Sequence, residues 1–548
     1  MVSEKSRKNR TILLIITCIK YLFAIGVTVA GALSAGHWRY IIGGLVELVL
    51  IALISEFLVS KCKIAGIILN DILLFIYGLQ YLVMFFARTF TTTVMIENLN
   101  SVEDQVGNFL RYGIGVALLV IFSFLPITRF FQTKKTGRTV FLSIVFALAV
   151  LAEAGLIFIG KSAGSPWVNA VQTTSDYIEE MKYRKRISEM IDVSEDESME
   201  SLVQFYKPRV DDDRPKPESL PEKPNVVLIL TEGLSQNVVD DDRNIMPEVS
   251  KLKQESIFFD HYYNHTFATY RAVSGQLYSG YQLDNLDENH LPSLQSILKD
   301  NGYHTIMINV EPYNPDFSGY LEAMGFDEVL TLYDGLRGLG NTIADVDAYK
   351  LIFETMQEQP SDTPFFLCIY TFGTHESLGS VDAIFGETEV KELDKFYNVD
   401  LAFGDFMDQF KNSDLYDNTV IVFTADHCTY GDKDFATYFS YRERIHTMLD
   451  QMPLMIYYKD VEPETIDVNG RNTLCLAPTL LDLLDISGEN MFLGSSLFSN
   501  EHTGILETCT VIDRGMSCTE GGILRPYSAE EEEELMVPIT EYFKVKLR

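Results

Sequence analysis

The sequence predicts a membrane α-helical bundle of five spans, followed by an extracytoplasmic α/β domain with a mainly parallel central sheet. Three observations carry this. Apolar stretches long enough to cross a bilayer fill the first 160 residues. Charge divides where they end: residues 1–162 hold 15 Lys+Arg against 8 Asp+Glu, and the remainder holds 29 against 69. Beyond residue 224, short apolar runs alternate with helical patterns, the signature of strands joined by crossover helices. The acidic excess argues against nucleic-acid binding, which needs a basic face.

The spans are expected near 11–33, 40–59, 64–87, 110–128 and 140–160, giving a transmembrane domain over 1–162. Their orientation follows the positive-inside rule. Lys5, Arg7, Lys8 and Arg10 precede the first span, Lys61 and Lys63 sit between the second and third, and Arg129, Lys134, Lys135 and Arg138 sit between the fourth and fifth. The alternate loops carry only Arg39, Arg88 and Arg111. The N-terminus is therefore expected inside and the C-terminal bulk outside. Four more spans follow the first, so it reads as a span rather than a cleaved leader. Glu47, Asp71 and Glu153 fall in or near spans, where ionisable groups either do chemistry or face the bundle interior.

Residues 163–224 read as a connector. Tyr177, Ile178, Met181, Ile187, Met190 and Ile191 recur at helical spacing, and the acidic, proline-rich run from Pro208 to Pro224 reads as a linker. A domain is expected over 225–548. Its strand candidates are Val226–Thr231, Thr305–Val310, Phe365–Thr371, Val420–Thr424 and Leu454–Tyr457. In such sheets ligands bind beyond the carboxyl ends of the strands. There the runs NVVLILTE, PFFLCIYTFGTH and NTVIVFTADH place Glu232, His375, Asp426 and His427. Thr269, in HTFATYRAVSG, stands where an extended segment enters a helix, whose N-terminus favours negative charge. Taken singly, each has an ordinary reading: a helix-entry carboxylate, a cap, a core histidine. Their conjunction at strand ends points to one site.

The order NVVLILTEG, HTFATYRAVSG, YTFGTH, DNTVIVFTADH resembles the sulfatase-like phosphotransferases of the alkaline phosphatase superfamily, and within them the lipoteichoic acid synthase and phosphoglycerol transferase family. The resemblance extends to the spans before the domain. It implies a metal-dependent enzyme of the bacterial cell membrane that moves a phosphoglycerol-type head group through a phosphothreonine-type intermediate. Thr269 would be the nucleophile, and Glu232, Thr269, Asp426 and His427 the metal ligands. His375 would contact the substrate phosphate. One divalent ion is implied, Mn2+ first, with Mg2+ or Zn2+ as alternatives. The implied partners are a phospholipid donor (phosphatidylglycerol), an envelope glycan or glycolipid acceptor, and the membrane.

Two departures stand out. In INVEPYNPDFSGY, Asn309 replaces an expected histidine and no arginine follows, which leaves the acceptor site and polymerase activity open. Cys428 follows the Asp-His pair where glycine or an aromatic is usual. A sulfatase would need a Cys or Ser in C/S-x-P-x-R, absent around Thr269. A phosphoethanolamine transferase shares the membrane plan and the threonine, and a tethered non-catalytic protein is the alternative outside enzymes. Of the later cysteines, Cys509 and Cys518 are spaced for a bridge.

Overall fold

The computed structural model describes residues 4–35, 38–87, 89–97, 106–130, 136–160, 165–191, 201–210, 212–282, 288–331, 333, 342–375, 382–387, 390–431, 433–439, 444–499, 504–512 and 515–546. Arg88, Lys134 and Lys135 lie outside them. The chain divides into two compact units, Met1–Lys182 and Tyr183–Arg548.

The first unit is helical: α1 (Glu4–Ser34), α2 (Arg39–Lys61), α3 (Lys63–Ala87), the single turn α4 (Thr93–Glu97), α5 (Val106–Ser123), α6 (Thr136–Gly160) and the start of α7 (Pro166–Ile191). Among the described residues, four helices are long and apolar enough to cross a membrane, within α1, α2, α3 and α6. The expected fourth span ends earlier than predicted. Helix α5 stops at Ser123, and its described apolar part is Tyr112–Ser123. The cause is Pro126, whose ring disfavours helical backbone at the preceding residue.

Several polar groups of this unit pair inside it. Lys20 on α1, 1 % exposed, donates to Asp71 on α3 at 2.5 Å and to the Leu125 carbonyl at 3.1 Å. Glu47 on α2 is buried and accepts from the Ser165 hydroxyl and the Trp167 amide. Glu153 lies on α6 with one carboxylate oxygen buried and unpartnered. On α7, Ile178 and Met181 are exposed while Ile187 is buried.

The second unit is built on an eight-stranded sheet of order β4-β3-β5-β1-β6-β7-β2-β8. The strands are β1 (Asn225–Thr231), β2 (Ile257–Asp260), β3 (His304–Asn309), β4 (Glu328–Thr331), β5 (Phe365–Tyr370), β6 (Thr419–Ala425), β7 (Leu454–Tyr457) and β8 (Glu464–Asp467). All neighbours run parallel except β7, antiparallel to both β6 and β2. Strands β1, β5 and β6 are buried at every residue. Covered on both faces by helices, a strand must be apolar throughout rather than alternating. That is why NVVLILT, FFLCIY and TVIVF read as unbroken runs. Three short strands, β9 (Cys509–Ile512), β10 (Gly515–Cys518) and β11 (Arg525–Pro526), form a separate antiparallel sheet.

The proline-rich stretch before β1 lies along the second unit. Ser487 accepts from the Val210 amide, Asp482 from the Asp213 and Arg214 amides, and Arg214 pairs with Glu464 at 2.5 Å.

Candidate metal and nucleophile site

Strands β1, β5 and β6 are adjacent and parallel, so their carboxyl ends lie side by side. Glu232 follows β1, the turn to His375 follows β5, and Asp426-His427 follow β6. The helix Thr269–Tyr278 delivers Thr269 to the same place. Its hydroxyl donates to Glu232 Oε2 at 3.1 Å. One nitrogen or oxygen from each of Glu232, Asp426 and His427 falls within 4.8 Å of the others, all three residues being buried. His427 Nε2 lies 3.5 Å from Glu232 Oε1 and 3.4 Å from Asp426 Oδ2.

Local hydrogen bonds decide which atoms remain for a ligand. Asp426 Oδ1 accepts the amides of Gly233 at 2.9 Å and His427 at 2.7 Å. Asp426 Oδ2 is left buried with no hydrogen-bond partner. The first of those amides needs a sharp turn, which Gly233 supplies at φ +48°. His427 Nδ1 lies 2.8 Å from the Cys428 carbonyl, which only accepts, so in the neutral ring Nδ1 carries the proton and Nε2 the lone pair. Two carboxylates and an imidazole lone pair thus converge in a buried place. Burial, and next the charge of Asp426, push the Glu232 carboxyl well above its usual range. A divalent cation suits this donor set and would offset both effects. The residues present fit one.

Neighbouring contacts fix the frame. Gln276, on the Thr269 helix, donates to the carbonyls of Ala425 at 3.1 Å and Asp426 at 2.9 Å, tying that helix to the end of β6. Ala268 just before Thr269 sits at φ +76°, an unfavourable conformation for a residue with a Cβ. Thr371 accepts the Glu232 amide at 3.2 Å and Thr374 donates to the Glu232 carbonyl, so the ends of β1 and β5 are laced together. Asp345 accepts the Gly373 amide at 3.1 Å, and a Cβ at Gly373 would lie 2.0 Å from its carboxylate. Burial raises Asp345 to about 6.

His375 ends this turn with its ring stacked on Phe372, centroids 4.8 Å apart. Burial, then the charges of Lys395 and His427, lower it to about 4, so it is a neutral imidazole near pH 7. Phe267 packs on the His427 ring at 4.2 Å. Lys395 is buried and its charge acts on both Glu232 and His375. Gln276, Asp345, Thr371, Thr374, Phe267 and Lys395 were not marked by the sequence, although Phe267, Thr371 and Thr374 stand inside the quoted motifs. Asn309 is buried in a network of its own, accepting from Tyr370 and Glu311 and donating to Ser318, each at 2.9 Å. Cys428 is core, with burial pushing its thiol up.

Residues 224–486 match the family model described as Sulfatase. A curated relative, lipoteichoic acid synthase 2 of Bacillus subtilis (strain 168), is 24 % identical over 323 residues, 52 % of this chain and 48 % of that protein. The aligned chain therefore spans about half the length of that relative. Two solved structures align: an alkaline phosphatase superfamily protein from Vibrio parahaemolyticus (19 % identity, TM-score 0.49, 64 % of this chain and 95 % of that one) and the lipoteichoic acid synthase LtaP from Listeria monocytogenes (16 %, 0.48, 66 % and 97 %). Residues 224–486 of the second unit therefore carry a sulfatase-like domain. Over the aligned residues the chain is similar to a lipoteichoic acid synthase.

Proposed function

We propose that this chain is a metal-dependent phosphotransferase that moves a phosphoglycerol-type head group from a membrane phospholipid to an envelope glycan or glycolipid, with residues 225–548 outside the cell. The observation that carries the reading is the Thr269 hydroxyl, hydrogen-bonded to Glu232 beside the Asp426–His427 pair. Glu232, Thr269, Asp426 and His427 would hold one divalent ion, Mn2+ in first place. Bound there, the ion would lower the hydroxyl pKa and offset charge on phosphoryl oxygens.

The chain's own groups then divide the work. Thr269 Oγ1 attacks the donor phosphorus. The Thr269 O–P bond forms, Glu232 accepts the hydroxyl proton along its existing hydrogen bond, and the bond from phosphorus to the diacylglycerol oxygen breaks, that oxygen leaving as the alcohol with a proton from water. Neutral His375 donates its ring N–H to a phosphoryl oxygen. The N-terminus of the Thr269 helix favours the negative charge that develops. An acceptor hydroxyl then attacks the phosphothreonine and frees Thr269.

The test is incubation of the purified chain with phospholipids labelled in the head group, phosphatidylglycerol against phosphatidylethanolamine, followed by peptide mass spectrometry. A glycerophosphoryl mass on Thr269 is the expected result. A phosphoethanolamine mass would move the donor to the other lipid class, and an unmodified Thr269 with normal donor cleavage would refute the covalent route.

A further inference from the structure

Away from the site, β9 and β10 set Cys518 directly opposite Cys509. The parity of this ladder is fixed by the Thr519 amide, which donates to the Thr508 carbonyl at 2.9 Å. Residues 508 and 519 are therefore a hydrogen-bonded pair, and 509 and 518 beside them are a non-hydrogen-bonded one. Two other contacts agree. The Cys509 carbonyl, turned away from β10, accepts from Asn472 Nδ2 and the Tyr281 hydroxyl, each at 2.8 Å. Val511, of the same parity, sends its amide outward to the His265 carbonyl at 2.8 Å.

Facing residues of a non-hydrogen-bonded pair lie ~4.5 Å apart at Cα, with side chains on one face of the sheet. A disulfide spans Cα separations of ~4.4–6.8 Å. Both thiols are buried among Tyr281, Met516 and Tyr527, and both are reduced in this structure. The other cysteines of this unit, Cys368, Cys428 and Cys475, belong to a different core cluster.

We propose that Cys509 and Cys518 close a cross-strand disulfide when the protein meets a thiol–disulfide oxidant. One cysteine thiolate attacks a sulfur of the oxidant's disulfide, giving a mixed disulfide and one released thiol. The second cysteine then attacks the protein sulfur and releases the other thiol. Two protein thiols lose their protons, one S–S bond forms, and the two electrons reduce the oxidant's disulfide. Burial holds the Cys509 thiol up at about 12, so the attacking thiolate forms slowly there. The bond would lie behind the segment that leads to Thr269. Thr510 donates to the Asn264 carbonyl at 2.6 Å, and Val511 to His265.

The experiment needs neither the phosphotransfer reading nor the orientation. The full chain in detergent is incubated with oxidised glutathione, denatured with N-ethylmaleimide, and digested with trypsin without reductant. Arg514 lies between the two cysteines, so cleavage after it separates their peptides unless they are bridged. The expected result is a linked Cys509–Cys518 peptide that vanishes in Cys518→Ser, with a thermal midpoint about 2–4 °C higher after oxidation. The linked peptide is read on the wild-type chain, so the test does not depend on any variant folding. Recovery of both peptides with maleimide or glutathione attached, or linkage of either cysteine to Cys368, Cys428 or Cys475, would overturn the proposal.

Discussion

Gln276→Met keeps the length and volume of the side chain but removes both hydrogen bonds that hold the Thr269 helix to the carbonyls of Ala425 and Asp426. Gln276 is fully buried, so neither carbonyl regains a bond to bulk water. An orphaned buried acceptor costs about 1–3 kcal/mol, and two shared by one side chain should cost about 2–4 kcal/mol in all. At about 2 °C per kcal/mol for a unit of this size, the thermal midpoint should fall by about 4–8 °C. The second effect falls on rate. The helix carries Thr269 and the carbonyls belong to the end of β6, so their separation sets the reach of the hydroxyl toward Asp426. A shift of about 1 Å there should lower donor cleavage about 100-fold. The assay pairs a melting curve of the full chain in detergent with release of diacylglycerol from labelled phosphatidylglycerol. Bound metal is counted alongside. An unchanged midpoint with an unchanged rate would refute the claim that this side chain positions the nucleophile.

Thr269→Ala should abolish donor cleavage together with transfer, while circular dichroism stays that of wild type. Asp426→Asn should lower the divalent-metal content of the purified chain, measured by mass spectrometry of the metal, from one equivalent to near none; undiminished binding would remove Asp426 from the ligand set. His265, fully buried, is held down to about 3 by burial and then by the charge of Arg271, so the folded state binds fewer protons than the unfolded state below about 6.5. Its contribution is complete above pH 6.5 and is lost as the pH falls toward 3, at about 1.4 kcal/mol per unit. Between pH 6.5 and pH 5, chemical denaturation should therefore show His265→Gln losing about 2 kcal/mol less stability than wild type. Protease added to intact protoplasts should release a large fragment of the C-terminal unit; full protection would reverse the proposed orientation.

The residues that could be read in advance are those whose role is announced by their neighbours in sequence. Strands β1, β5, β6 and β7 are continuous apolar runs, and Glu232, Asp426 and His427 end two of them. Strands β4 and β8 were missed for a physical reason. They are edge strands of four residues each, EVLT and ETID, with partly or fully exposed side chains and no long apolar run. Strand β2 is buried but equally short. The supporting groups were illegible for another reason. Asp345 reaches Gly373, Gln276 reaches Asp426, and Thr374 reaches Glu232, all across long stretches of chain. Nothing near Gln276 in the sequence distinguishes it from any other helical glutamine. The left-handed Ala268 is invisible in the same way, since alanine gives no signal for positive φ. Asp71 was recognisable as a charge within a span, but its partner Lys20 became evident only when α1 and α3 packed together.

That pair has a bearing on how the bundle enters a bilayer. Synthesis delivers α1 first, bearing an ammonium group that an isolated helix hosts in hydrocarbon at a cost of about 2.5–3.5 kcal/mol. The compensating carboxylate arrives only with α3. Until then the Lys20 ammonium is uncompensated, and it is neutralised once the later helix lodges against α1. The joined pair carries no net charge, so a voltage across the membrane exerts little pull on it. Loss of Asp71 alone would strand Lys20, and the failure would show as a helix that slips or never inserts rather than as a slower reaction.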